Sequence, residues 1–202
     1  MQESRRQPVS SVRRRLAAFA VAAAAIVTVV GVPPTTAPPA SAALARNYLI
    51  GDSVVILVES SLRRKMPRIV VDAVVARQVS HGIAILRRKK RRGTINPHTV
   101  FALGTNGTFT AEQLRTIIRL TRGHRLFVVT SRCPYCTWTA GNNRVIRRGC
   151  RPRYHCWVVP FAEVIGRHPE WFAPDGVHLP MDGVGARAYA TLVRDTIRGS
   201  YD

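Results

Sequence analysis

Acidic residues are scarce in this 202-residue chain: eleven Asp and Glu stand against 31 Lys and Arg, giving a formal net charge of +20. Such a field concentrates polyanions around the molecule; the plainer alternative is a solvated basic face in a chain that favours arginine over lysine. Long apolar runs are nearly missing too. Leu16 to Val32 is the one uncharged stretch of that length, and without a second one a multi-pass membrane protein is excluded. Aromatic residues make up only 7%. None is interleaved in the densest basic block, RRKKRR at 87–92, so nothing there stacks bases and nucleic acid is not an expected partner. Cysteine is absent from most of the chain. Its four copies, Cys133, Cys136, Cys150 and Cys156, fall in one short segment.

The N-terminal stretch reads as an appendage. Arg5, Arg6 and Arg13 to Arg15 precede the apolar run, and PPTTAPPASAALA follows it. These are the n-region, h-region and small-residue site of a secretory signal, with Ala40-Ser41-Ala42 as the cleavage candidate. An uncleaved anchor is the alternative, since 17 apolar residues stand at the lower limit for a bilayer span. Residues 1–42 are therefore expected to be signal peptide or anchor with a Pro-rich spacer, and 43–202 a globular domain, secreted or held at the cell surface. Removing residues 1–42 takes away five arginines and Glu3 and leaves a net charge of +16, so anionic wall polymers are expected partners of the exported domain. The cysteine spacing suits zinc, but export favours disulfides.

Beyond the spacer, short apolar runs alternate with amphipathic stretches. Strands are expected at Tyr48–Ile50, Ile69–Val75, Thr99–Leu103, Leu126–Thr130 and Trp157–Pro160. Helices are expected over Val54–Lys65, with Val54, Leu57, Val58, Ser61 and Leu62 inward, over Gln78–Arg92, Asn142–Arg148 and 183–198, and from a capping box at Thr110 and Gln113 to about Thr121. Alternation of this kind predicts a three-layer α/β/α sandwich around a central parallel sheet. Ligands of such sheets bind beyond the carboxyl ends of the strands. The segments that matter are thus GDS at 51–53, the neighbourhood of Ala76-Arg77-Gln78, GTNG at 104–107 and the cysteine loop.

Ser53 lies where the first strand runs into a helix, a place where a hydroxyl is exposed and the helix N-terminus stabilises an anion. It needs a base and an orienting group. WFAPDGVHLP at 171–180 supplies Asp175 and His178 three apart on a turn, a spacing that lets the carboxylate fix the imidazole tautomer. The motif lacks the second glycine of G-x-S-x-G, so the α/β-hydrolase elbow is excluded. Asp52 points away from its neighbour along extended chain and is expected to bond backbone amides.

GDSV, GTNG and DGVHL, in this order, resemble blocks of the SGNH (GDSL-type) hydrolase superfamily. VDAVVARQV, FALGTNG and WFAPDGVHL are similar, more narrowly, to the extracellular domains of bacterial peptidoglycan O-acetyltransferase-like proteins. The resemblance implies Ser53 as nucleophile, His178 as base and acid, and Asp175 as its orienter. It implies an oxyanion hole from the Ser53 and Ala76 backbone N–H groups and the Asn106 side chain, with no cofactor and no metal. It further implies an exported esterase or O-acyltransferase acting on acyl esters, O-acetyl above all, of cell-wall carbohydrate, with a separate membrane protein as acyl donor in the transfer case. The alternative is a catalytically decayed cationic wall-binding protein.

Two departures from the family pattern stand out. Alanine occupies position 76 where glycine is usual, and LPMDGVGARAYA after His178 forms a longer loop that could shift the histidine. His81, His98, His124, His155 and His168 read as surface or loop residues without acidic partners, Arg77 as bonding backbone near the site, and Trp171 as an anchor of the Asp175–His178 loop. Four cysteines allow three pairings; with the first two following one strand and the last two beyond the next helix, the local pairs Cys133–Cys136 and Cys150–Cys156 fit best.

Overall fold

In the computed structural model, residues 46–201 are described; the expected signal or anchor at 1–42 lies outside them. Five strands form one sheet: β1 (Asn47–Gly51), β2 (Val70–Ala73), β3 (His98–Ala102), β4 (Arg125–Val129) and β5 (Cys156–Val159). Every pairing is parallel, in the order β2-β1-β3-β4-β5. Neighbouring side chains leave a strand on opposite faces, and both faces are covered here. Leu49, Val100 and Phe127 pack with α1 (Ser53–Lys65) and, further on, α6 (Val184–Arg198). Ile50, Phe101 and Val128 pack with α2 (Val79–Arg91), α3 (Ala111–Leu120) and α4 (Thr139–Gly149). This is the three-layer sandwich that the alternation predicts. Burial on both faces explains why the inner strands read as unbroken apolar runs.

Local signals set most boundaries. Thr110 caps α3, its hydroxyl accepting from the Gln113 N–H at 3.1 Å while the Gln113 side chain accepts from the Thr110 N–H at 2.8 Å. Gly51 is required where β1 enters α1: a Cβ there would lie 2.3 Å from Val55 Cγ2.

Some expectations need correction. The inward face of α1 uses Val55 and not Leu57, because Val54, Val55, Val58, Ser61 and Leu62 recur at the spacing of a single helical stripe and Leu57 lies off it. β2 stops at Ala73, since Val74 and Val75 turn out of the sheet edge and are 52% and 68% exposed. α4 begins three residues before Asn142. His98 is no surface residue: it is 4% exposed, bonds Asn47 Oδ1 at 2.7 Å and meets the Tyr201 hydroxyl. Burial, reinforced by Arg46 and Arg125, pushes its pKa down to about 4. His168 does have an acidic partner, Glu170, at 3.0 Å, and stacks on Trp171.

The cysteines close two local disulfides, Cys133–Cys136 and Cys150–Cys156. No thiolate remains for zinc among the described residues.

Candidate active site

The sheet order reverses at β1, whose neighbours are β2 and β3. Chains leaving these strands in opposite directions open a crevice at their carboxyl ends. Gly51 is in register with Ala73 of β2 and Ala102 of β3, so Ser53, Ala76 and Asn106 follow on segments leaving adjacent strand ends.

Ser53 is the first residue of α1, and Asp52 is its cap, accepting the Val54 N–H at Oδ1 (3.1 Å). A cap role for Ser53 is thereby taken by its neighbour. The serine hydroxyl is left for another partner, His178 Nε2, at 2.9 Å. On the far side of the ring, Nδ1 meets Asp175 Oδ2 at 2.6 Å. A carboxylate at Nδ1 holds the proton there, so the Nε2 lone pair faces the serine O–H. The longer loop after His178 does not displace the imidazole.

Asp175 is held by its own turn. Its Oδ1 accepts the backbone N–H of Val177 at 2.9 Å and of His178 at 3.0 Å. Burial pushes this carboxyl up, but the His178 and Val177 hydrogen bonds outweigh it and hold the pKa at about 2. Gly176 makes the turn with φ +65°, and a Cβ there would meet Pro134 Cγ at 3.1 Å. The disulfide-closed cysteine loop therefore packs directly against the turn carrying Asp175 and His178. Trp171 is half-buried against the core of α1 and α6, and a Cβ at Gly185 would lie 3.1 Å from its Cβ, which fastens the start of the same loop to α6.

Asp52 is 1% exposed. Burial raises its pKa to about 6, with hydrogen bonds from Val54 and Thr105 pulling the other way. Its Oδ2 accepts from Asn106 Nδ2 at 3.1 Å. One amide hydrogen of Asn106 is thus used, and the second is free to point elsewhere.

Ala76 stands at φ +56°, the left-handed region in which alanine is strained and glycine is not. Among the described residues neither its N–H nor that of Ser53 donates to a protein acceptor. The strained turn is braced by Arg77, whose guanidinium bonds the Asp72 carbonyl and, at 2.6 Å, Asp72 Oδ1. Tyr48 donates to the other carboxylate oxygen of Asp72 at 2.6 Å. Burial pushes the Asp72 carboxyl up, yet Tyr48 and Arg77 bring it below its usual value.

Sequence reasoning missed the side chain that shapes GTNG. Asn142 Nδ2 donates to the Gly104 carbonyl at 2.9 Å and the Gly107 carbonyl at 2.8 Å, and its Oδ1 accepts the Phe109 N–H at 2.7 Å. Trp138 Nε1 donates to the Thr105 carbonyl at 3.2 Å. The only signal was an Asn-Asn pair on a short helix.

No family model matches the chain. Over 150 residues, 74% of its length, it is 30% identical to peptidoglycan O-acetyltransferase OatA of Listeria monocytogenes. Over 134 residues, 66% of its length, it is 31% identical to YrhL of Bacillus subtilis. Among solved structures, the C-terminal catalytic domain of peptidoglycan O-acetyltransferase A from Streptococcus pneumoniae superposes with a TM-score of 0.67 at 22% identity, over 79% of this chain and 96% of that domain. This is an SGNH-type domain. Its homologues are peptidoglycan O-acetyltransferases, and the matched stretch spans 24% of the Listeria protein and 21% of the Bacillus one. The likeness to the solved catalytic domain is one of fold.

Proposed function

We propose that this domain performs acyl-ester chemistry on cell-wall carbohydrate through Ser53, His178 and Asp175, most naturally as an O-acyltransferase, with hydrolysis when water is the acceptor. The observation that carries the reading is the continuous line of contacts from Ser53 Oγ to His178 Nε2 (2.9 Å) and from His178 Nδ1 to Asp175 Oδ2 (2.6 Å). The names of the homologues support the substrate class.

Ser53 Oγ attacks the ester carbonyl carbon while its proton passes to Nε2. The resulting oxyanion is positioned to accept from the N–H groups of Ser53 and Ala76 and from the free amide hydrogen of Asn106, with the α1 N-terminus adding its dipole. The tetrahedral centre collapses, the carbon–oxygen bond to the departing alcohol breaks, and that oxygen takes the proton from Nε2. The acyl group now sits on Ser53. A sugar hydroxyl or water then gives its proton to Nε2 and attacks, and the reverse proton transfer frees the serine. Asp175 stays ionised throughout, its pKa near 2, and stabilises the imidazolium formed in both halves.

The reading places the domain outside the cytoplasm, with residues 1–42 as its export signal or anchor and a separate membrane protein delivering acyl groups in the transfer case. It is tested with p-nitrophenyl acetate, with and without a chito-oligosaccharide, comparing the parent with Ser53→Ala. Acetylated oligosaccharide formed only by the parent is the outcome expected of a transferase, and nitrophenol release alone that of an esterase. No turnover by the parent, with polyanion binding intact in both proteins, removes the catalytic reading and leaves the cationic wall-binding one.

A further inference from the structure

Between α3 and α4, on the side of the sheet opposite α1, lies a groove of about 1150 Å³. Six arginines line it: Arg115, Arg119 and Arg122 from α3 and its exit, Arg144 and Arg148 from α4, and Arg153 beyond. No Asp or Glu lines it, and none of the six forms an ion pair among the described residues. Other arginines of the domain do find carboxylates, such as Arg63 with Glu59 and Arg147 with Glu163. Arg115 with Arg119, and Arg144 with Arg148, stand four apart on their helices. That spacing puts like charges side by side and destabilises a helix. The arrangement costs stability unless an anion neutralises it.

The charges surround an apolar and aromatic lining that includes Ile118, Val145, Trp138 and Tyr154. A small inorganic anion satisfies one or two guanidinium groups and leaves the rest. A chain carrying phosphates at regular intervals, joined by uncharged units, serves both features at once. Its phosphates accept forked hydrogen bonds from arginine, and its sugar or polyol units cover the lining. Successive arginines on each helix are about 6 Å apart along the axis, so several phosphates are engaged together. We infer that this groove binds a linear phosphodiester polymer of sugar or polyol units, and so holds the domain on an anionic wall polymer. Trp138 and Asn142 line the groove and also bond the GTNG loop, so a polymer seated there lies beside the strand-end loops. The inference does not depend on the ester chemistry: it is read by binding alone.

The test uses the full chain, with a deacylated poly(glycerol phosphate) polymer as probe, a single-stranded oligodeoxynucleotide at equal phosphate concentration, and a neutral chito-oligosaccharide. Two triple variants remove the same charge: Arg119→Gln/Arg144→Gln/Arg148→Gln in the groove, and Arg87→Gln/Lys90→Gln/Arg91→Gln on the exposed end of α2. Circular dichroism spectra matching the parent's, with melting temperatures no lower than the parent's as relief of the like-charge pairs predicts, verify folding. The expected result is salt-dependent binding of the polymer by the parent, weakened about tenfold or more in the groove variant and less than about threefold in the α2 variant. Equal loss in the two variants means bulk charge alone and overturns the groove. Tighter binding of the oligonucleotide overturns the choice of ligand in favour of nucleic acid, and failure of the parent to bind the polymer overturns the proposal outright.

Discussion

The Asn106 side-chain amide donates to the buried carboxylate of Asp52 at 3.1 Å, and Asp52 in turn caps the helix that begins at Ser53. The acid beside the serine therefore ties two of the strand-end segments together. It fixes one hydrogen of the Asn106 amide, leaving the other unused by Asp52, and it does so without touching the Ser53 hydroxyl, which meets His178. Asp175, not Asp52, meets the imidazole.

Ser53→Ala removes the hydroxyl that meets His178 and, on the proposed mechanism, is expected to lower turnover of p-nitrophenyl acetate by at least about a thousandfold with the fold unchanged. Asp175→Asn keeps the shape of the turn, but an amide at Nδ1 donates where the carboxylate accepted and drives the ring proton onto Nε2. A loss of roughly a hundredfold to ten-thousandfold is expected. Near-parent turnover in either variant would show that the contact line does not carry the chemistry.

Asp52 titrates at about 6 in the folded protein and at about 3.9 unfolded. A folded-state value above the unfolded one means that the stabilising contribution is full below about 3.9 and is lost as pH rises through 6. Acidification from pH 7 to 4.5 is expected to gain about 2 kcal/mol from this group. Asp175, depressed to about 2, acts in the opposite sense: its contribution is present above about 3.9 and is lost only on going lower. Urea unfolding of the parent and Asp52→Asn at several pH values measures the difference. Identical pH slopes would refute the assignment.

Ala76 stands at φ +56°. Ala76→Gly relieves the left-handed strain, partly offset by the greater freedom of glycine in the unfolded chain, for an expected net gain of up to about 1 kcal/mol in urea unfolding. Ala76→Val has the opposite effect and lowers turnover as well, because a β-branched residue pulls the turn out of that conformation. Equal stabilities for the three proteins would mean that the turn is relaxed in solution.

Asn142→Asp removes both hydrogens donated to the Gly104 and Gly107 carbonyls while keeping size and shape. With the loop carbonyls facing a carboxylate, a stability loss of about 2–4 kcal/mol is expected, together with reduced turnover as Asn106 loses its position. Denaturant unfolding and steady-state kinetics check the two halves separately; full activity with full stability would leave Asn142 without the role assigned to it.

The alternation of apolar runs and amphipathic stretches determined the layered parallel sheet, because burial on both faces leaves a pattern that neighbouring residues carry by themselves. The capping box at Thr110 and the local disulfides were legible for the same reason: their partners lie within a few residues. Asp175 and His178 were legible as a pair, being three apart. What only the tertiary structure decided is everything that depends on partners distant in sequence. Asn142 reaches back 38 residues to Gly104. His98 is buried by Tyr201 from the far end of the chain, Pro134 presses on Gly176, and arginines of two separate helices line one groove. A residue's own chemistry is written at its position, but its burial and its partners are set by the packing of elements that the chain brings together only on folding.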